Sequence, residues 1–335
     1  MSVSAWADTP VEENCLQCHF QGQTNLLTHT PAAENMCDVC HEKNDKHFSI
    51  NYSSEVCSSC HEIEHDLPFK HKALDLTKQC VSCHNPHGSE HKSFLKMPVI
   101  DLCTSCHGGV KDTSAKSTHD VVYSEGGCVK CHRPHGSQNQ KLLKFPKEDL
   151  CLSCHNKELD YLGHYPTNNR VIRNMQKVVE TSSYSHPPAK EKQCTICHNS
   201  HQSDQWWLLK SDLASDSRNV ESKNWKLVPD KYKTCFKCHN INMLNEKISA
   251  TETLFRNDEQ VKKPWYLGGG TKLVRKNLHR SHGMSCGMCH DVHGGERQHL
   301  IKKQWKSLPK GGTCGAGCHG DLDRWEVGVV YKRID

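Results

Sequence analysis

Every cysteine in this chain belongs to a pair, and every pair is followed directly by a histidine. Ten of the groups read C-x-x-C-H: Cys15, Cys18 and His19; Cys37, Cys40 and His41; Cys57, Cys60 and His61; Cys80, Cys83 and His84; Cys103, Cys106 and His107; Cys128, Cys131 and His132; Cys151, Cys154 and His155; Cys194, Cys197 and His198; Cys235, Cys238 and His239; Cys286, Cys289 and His290. The eleventh, Cys314, Cys318 and His319, is one residue longer between its cysteines. With 335 residues in all, each group commands only about 30. Segments that short cannot each bury a hydrophobic core of their own.

The spacing dictates what such a group can hold. On one helical turn, positions i, i+3 and i+4 share a side, so two sulfurs and an imidazole can address the edge and one face of a flat ring. That is the requirement for covalent c-type haem, in which each thiol adds to a vinyl group and the histidine binds the iron. In the long group, Gly315, Ala316 and Gly317 fill the gap, and glycine tolerates the backbone angles a bulge demands. Zinc ribbons and disulfide frameworks also use paired cysteines, but neither requires the trailing histidine. Histidine is 26 of the 335 residues, too few to follow all eleven pairs by chance. The expected cofactor is therefore haem c, eleven copies, held by all 22 cysteines and by the eleven attachment histidines. No catalytic residue is assigned.

Hydrophobic residues make up 35% of the chain and the mean hydropathy is −0.74. A polypeptide this polar tends towards disorder unless something else supplies apolar mass. Haem would supply it. The fold expected is mostly irregular with short α-helices and little β, a multihaem cytochrome c built as an elongated haem array, and largely unfolded without its haems. Two propionates on each haem turn the formal charge of +5 negative in the haem-bearing protein, so the lysines are read as propionate partners and no nucleic acid is expected.

No apolar run reaches the length of a membrane span. Ala5, Trp6 and Ala7 place small residues where a signal peptidase reads, so residues 1–7 read as the stub of an export signal, with an ordinary frayed terminus as the alternative. Export to the periplasm, the outer membrane or the outside is expected in either case, because haem is attached to c-type cytochromes outside the cytoplasm.

Attachment groups begin 20 to 25 residues apart from Cys15 to Cys151, after which the gaps are 43, 41, 51 and 28. Residues 8–158 thus read as a dense seven-haem part and 159–335 as a four-haem part with long spacers. An internal repeat is explicit: CVSCHNPHGSEHKSFLKMPVIDLCTSCH at 80–107 aligns without gaps to CVKCHRPHGSQNQKLLKFPKEDLCLSCH at 128–155, and His71 and His119 keep the same 48-residue offset. Weaker copies run from His186 through CTICHNSH to Cys235, and from His282 through CGMCHDVH to Cys314. A recurring small unit implies a stacked, quasi-linear array. In the spacers, Trp206, Trp207, Trp225, Trp265, Tyr266 and Trp305 read as packing residues, and 171–180 as a short helix.

Fifteen histidines remain beyond the attachment set, and only histidine is abundant enough to serve as second axial ligand. His87 lies three residues after His84, a reach of at most about 10 Å, too short to pass round a porphyrin to the same iron. It is assigned to the Cys103 site instead. His71, nine residues before Cys80, has chain enough to reach its own haem. The same logic pairs His119 with Cys128, His135 with Cys151, His186 with Cys194, His201 with Cys235, His282 with Cys286 and His293 with Cys314. His29 is assigned to Cys37, His47 to Cys57 and His65 to Cys15, leaving His91, His164, His279 and His299 spare.

The unit C-x-x-C-H-x-P-H-G-S followed by a second C-x-x-C-H resembles the doubled-CXXCH multihaem cytochromes, and among them the periplasmic decahaem electron conduits of the Mtr/Dms type. The resemblance is strongest over residues 69–156. This chain has one attachment group more, a longer final group and longer C-terminal spacers. The resemblance implies low-potential haems with two histidine ligands, passing electrons across the cell envelope inside a porin-like outer-membrane barrel. Iron with two imidazoles has no open position for a substrate, so electron transfer without bond chemistry is expected and enzyme activity is not. Expected partners are redox proteins at either end of the haem chain, an outer-membrane β-barrel, or copies of the chain itself in an extracellular filament. A reductase of small nitrogen or sulfur oxyanions is the reading from a different class; such enzymes commonly replace one attachment histidine by lysine, and none is replaced here.

Overall fold

The computed structural model describes residues 27–43, 48–50, 53–62, 66–75, 79–160, 171–211, 233–244, 258–262, 271–275, 286–302, 305–308, 311–314 and 331–332. The first attachment group, the export-signal stub, His47, His65, His164, His279, His282, Trp225, Trp265, Tyr266 and residues 315–319 lie outside them.

Attachment groups sit on single turns. Some are 3-10 turns, as at Cys37–Val39, Cys151–Ser153, Cys194–Ile196 and Cys235–Lys237; others are α, as at Val99–Thr104 and Gly127–Cys131. From Cys57 to Cys286 the histidine of each group donates its backbone N–H to the carbonyl of the first cysteine, at 2.9–3.0 Å. This i to i−4 bond closes the turn and puts both cysteines and the imidazole on one side. In the two strongest repeats, proline at the N-cap (Pro98, Pro146) presets the backbone for the second turn, and acidic residues in that first turn (Asp101; Glu148 and Asp149) suit its positive end. The helix expected over 171–180 forms instead at Met175–Thr181. Asn174 caps it by accepting from the Lys177 N–H at 2.8 Å, and Val171–Ile172 before it is a short strand.

Strands are mostly two residues long, and four pairings recur in one pattern. Leu27–Thr28, Phe69–Lys70, Ser117–Thr118 and Tyr184–Ser185 pair antiparallel with Gly88–Ser89, Gly136–Ser137, Gln202–Ser203 and Gly294–Gly295. Each joins the residues just before an upstream histidine to those just after a downstream one. Sterics enforce the glycine at 136: a Cβ there would stand 2.8 Å from Leu67 Cδ1 and 3.2 Å from the Phe69 carbonyl oxygen. The following serine ties the clip to the next turn, Ser137 Oγ donating to the Leu143 carbonyl at 2.5 Å and Ser89 and Ser203 to those of Leu95 and Leu209.

By internal contacts the chain divides into two units. One comprises Met1–Gly108 with Tyr123–Lys144, the other Gly109–Val122 with Phe145–Asp335. Among the described residues only three apolar side chains are buried, Val122, Leu152 and Leu209, whereas Leu27, Phe145 and Trp207 remain about half exposed. Trp206, by contrast, is half-buried under the Lys116 ammonium, which lies 4.8 Å from its ring centre. The fold class is as the composition predicts: mostly irregular, with few short helices and little sheet. Among the described residues no helix is long and apolar enough to cross a membrane.

Candidate haem sites

Seven attachment histidines each face one histidine from elsewhere in the chain. In one unit the pairs are His41 with His87 (ring centres 5.8 Å apart), His61 with His29 (5.8 Å), His84 with His135 (6.0 Å) and His107 with His71 (6.1 Å). In the other they are His155 with His119 (6.2 Å), His198 with His293 (6.1 Å) and His239 with His186 (6.1 Å). Imidazole–metal bonds run to about 2 Å and the ring centre lies about 1 Å behind its nitrogen, so two imidazoles on opposite faces of one iron have centres about 6 Å apart. The pairs fit that spacing.

These are not the pairings that local spacing suggests. His71 faces His107 rather than His84, His87 faces His41 rather than His107, and His119 faces His155 rather than His132. His135 meets His84 rather than His155, His186 meets His239 rather than His198, and His293 meets His198 rather than the residue at 319. His29 meets His61 rather than His41, and His186 at the Cys235 site displaces His201 from it. The cause is the strand clip. The His29, His71, His119 and His186 backbone N–H groups donate to the carbonyls of His87, His135, His201 and His293. Each upstream histidine is thereby fixed beside a residue some 60 to 110 positions away, and the eight- or nine-residue reach to its own site goes unused. The two strands point their imidazoles at different partners.

Burial lowers the pKa of His71, His135, His155, His186, His198 and His293, with nearby histidines adding to it in all but His198. For His293 the value falls to about 4. The neutral form, the one that binds metal, is therefore favoured at neutral pH. Beside it Asp291 accepts two hydrogen bonds from Arg173, at 2.7 and 3.0 Å. Burial pushes the Asp291 carboxyl up, but the Arg173 guanidinium and the His293 backbone N–H and ring together outweigh it and the net shift is downward.

The attachment cysteines of neighbouring groups meet, and they do so in alternation. First cysteines are close enough for their thiols to hydrogen-bond at Cys57 with Cys80, Cys103 with Cys128, Cys151 with Cys194 and Cys235 with Cys286. Second cysteines perturb one another at Cys40 with Cys60, Cys83 with Cys106 and Cys197 with Cys238. Burial and these neighbours push Cys57 up to about 11 and Cys103 up to about 12. In a haem-bearing protein these sulfurs are thioethers that do not titrate, so the free thiols matter here as markers of which groups adjoin. Within one unit they trace an unbroken series from the Cys37 group to the Cys128 group, within the other from Cys151 to Cys286.

One feature of the sites escaped the sequence reading. Nine residues after His84, His132, His198 and His290, the backbone turns left-handed at Ser93, Lys141, Trp207 and His299. Its only sequence trace is that fixed spacing.

The family of the doubled CXXCH motif matches three stretches, 71–112, 119–159 and 186–243. Each begins on an upstream histidine and ends beyond a second attachment group. The multiheme cytochrome MtrA of Shewanella baltica (strain OS185) is 33% identical over 102 residues, which are 28% of this chain and 31% of that protein. The chain thus matches about a third of the length of that relative. Doubled groups of this kind bind haem c covalently, and the facing imidazoles and adjoining cysteines suit that cofactor.

Proposed function

Because the chain is a multihaem c-type cytochrome resembling the Mtr type, we propose that it is a multi-step electron-transfer wire of eleven haems, working across or outside the cell envelope. The observation that carries this reading is the unbroken adjacency of attachment groups within each unit, alternately through first and second cysteines. Haem iron, where bound, supplies a one-electron couple that needs no bond to be made or broken. The chain's own residues set the distances between couples through the cysteine contacts. At seven of the eleven groups two imidazoles would hold the iron: His41, His61, His84, His107, His155, His198 and His239 from the attachment side, and His87, His29, His135, His71, His119, His293 and His186 from the other. A site so filled leaves nowhere for a substrate, which favours a carrier over a reductase of oxyanions. Redox proteins at the ends of the haem series, and an outer-membrane barrel as holder, are the partners this reading requires.

The test is a reductive titration of the purified holoprotein followed optically and by electron paramagnetic resonance, with haem counted by mass. Eleven haems, low-spin throughout and each taking up one electron, are expected. Fewer attached haems, or a high-spin haem that turns over nitrite or hydroxylamine, would overturn the reading.

A further inference from the structure

The four left-handed turns share one geometry. At Ser93 and Phe94, Lys141 and Leu142, Trp207 and Leu208, and His299 and Leu300, two successive residues have φ between 54° and 58°. None is glycine, asparagine or aspartate, and only His299 is of a residue type enriched in this region. Backbone held in a disfavoured region persists where its surroundings over-determine it, and here they do. The Phe94, Leu142, Leu208 and Leu300 carbonyls accept from the N–H of the residue following each attachment histidine, at 2.6–2.7 Å. What the turn accomplishes is visible at the preceding carbonyl. Nδ1–H of His84 donates to Ser93 at 2.7 Å, of His132 to Lys141 at 2.9 Å, of His198 to Trp207 at 2.8 Å and of His290 to His299 at 2.7 Å.

Among the described residues the second attachment groups, at Cys57, Cys103, Cys151 and Cys235, show no such bond. Among the described residues no carbonyl meets the ring nitrogens of His61, His107 or His239, and Nδ1 of His155 is buried with no partner. There the facing histidine is held instead. His29 Nδ1–H donates to Pro86 at 2.9 Å and His119 Nδ1–H to Ser200 at 2.9 Å, while the His71 and His186 rings hydrogen-bond the backbone of Pro134 and Val292. All four acceptors occupy one position, immediately before the downstream histidine of the clip. Conversely, His135 and His293, which face first-group histidines, make no such ring bond among the described residues.

We propose that the left-handed turn is a positioning device for the ligand: it aims one carbonyl at Nδ1–H of the first attachment histidine, and the clip does the same for the ligand facing the second, so that six of the seven imidazole pairs, all but His41 with His87, are anchored on one ring and the anchored ring alternates from the Cys57 group to the Cys235 group. The proposal rests on the reading of these pairs as iron ligands. A ring N–H donated to a carbonyl fixes the orientation of an imidazole and makes it a stronger base, which favours ferric over ferrous iron. The turn thereby holds down the potential of the haem at the Cys80, Cys128, Cys194 and Cys286 groups.

Two variants of the full-length holoprotein test it. Ser93→Val places a β-branched residue where φ is +58°, which strains the turn and swings its carbonyl away, whereas Ser93→Gly adopts that angle without cost. In S93V the midpoint potential of one haem is expected to rise and its low-spin resonance to shift, with haem content by mass unchanged; S93G should keep the wild-type values. S93V with full haem content and unaltered potentials would overturn the proposal. Ring N–H exchange in the wild-type holoprotein, measured by NMR with labelled histidine, decides the matter should S93V fail to assemble. A slowly exchanging Nδ1–H on His84 and a fast one on His107 are expected, and equal exchange would overturn it. Loss of haem or high-spin iron in the wild-type protein would instead sink the ligand reading beneath it.

Discussion

The His71 backbone N–H donates to the His135 carbonyl at 3.0 Å, although the two residues turn their imidazoles to different partners, His107 and His84. One backbone bond thus ties together two sites. Replacing His135 by Met is expected to alter the low-spin signal and raise the potential of the haem on Cys80 and Cys83, leaving that on Cys151 and Cys154 untouched. The identity of the altered haem is checked by repeating H135M in a background lacking Cys80 and Cys83. The changed signal should vanish there, as pairwise coupling requires. Its persistence would return His135 to the Cys151 site.

Gly136 lies where the two strands of that clip come closest. Gly136→Ala would drive a methyl group into Leu67 and towards the Phe69 carbonyl. The strands must part, at a cost of about 1–3 kcal/mol. Because the clip orients His71 and His135 together, the signals of the Cys80 and Cys103 haems should broaden in concert while others stay sharp. Gly109→Ala is the control, since nothing lies within 4 Å of the added carbon. Denaturant midpoints for the two variants make the comparison, and equal midpoints would show the clip to be slack.

Arg173 and Asp291, 118 residues apart, form a two-bonded ion pair beside the half-buried His293. Half of the guanidinium side chain is exposed, so solvent and salt screen much of the attraction. A double-mutant cycle of Arg173→Ala and Asp291→Ala is expected to return a coupling of about 1 kcal/mol, shrinking as salt is raised. Lys92 and Glu125, both almost fully exposed at 3.2 Å, should return nearly nothing by the same measurement.

How far the sequence discloses this molecule follows from the range of each interaction. The attachment groups are local: Cys103, Cys106 and His107 lie within five residues, and one backbone bond makes them a site. The composition disclosed the missing core for a comparable reason, since no folding pattern buries apolar residues a chain does not have. The pairing of imidazoles was not legible, because chain reach bounds only the maximum distance. His71 can reach the Cys80 site; what sends it to His107 is strand pairing with Gly136, more than sixty residues on, through two residues with no strand-like pattern around them. The left-handed turns were hidden for a different reason. Ser93, Lys141, Trp207 and His299 share no side-chain chemistry, because the backbone carbonyl is what the site uses.

Removal of haem tests the point on which the architecture depends. Val122, Leu152 and Leu209 are the only apolar side chains buried among the described residues, while Leu27, Met36, Phe145 and Trp207 keep large exposed fractions. At about 25 cal/mol for each Å² of apolar area removed from water, a handful of half-covered side chains cannot offset about 1–2 kcal/mol of backbone ordering for every residue. The strand clips add little, being two residues long with ends tens of positions apart in the chain. On the proposed reading, porphyrin faces provide the missing apolar area, and thioethers tether it along the chain. The chain produced without haem attachment is therefore expected to give a disordered circular dichroism spectrum, to melt without a cooperative transition, and to be cleaved by protease throughout. The holoprotein under the same conditions should unfold cooperatively and resist cleavage around its attachment turns. An apoprotein with a sharp melting transition would mean that the polypeptide makes a core by itself.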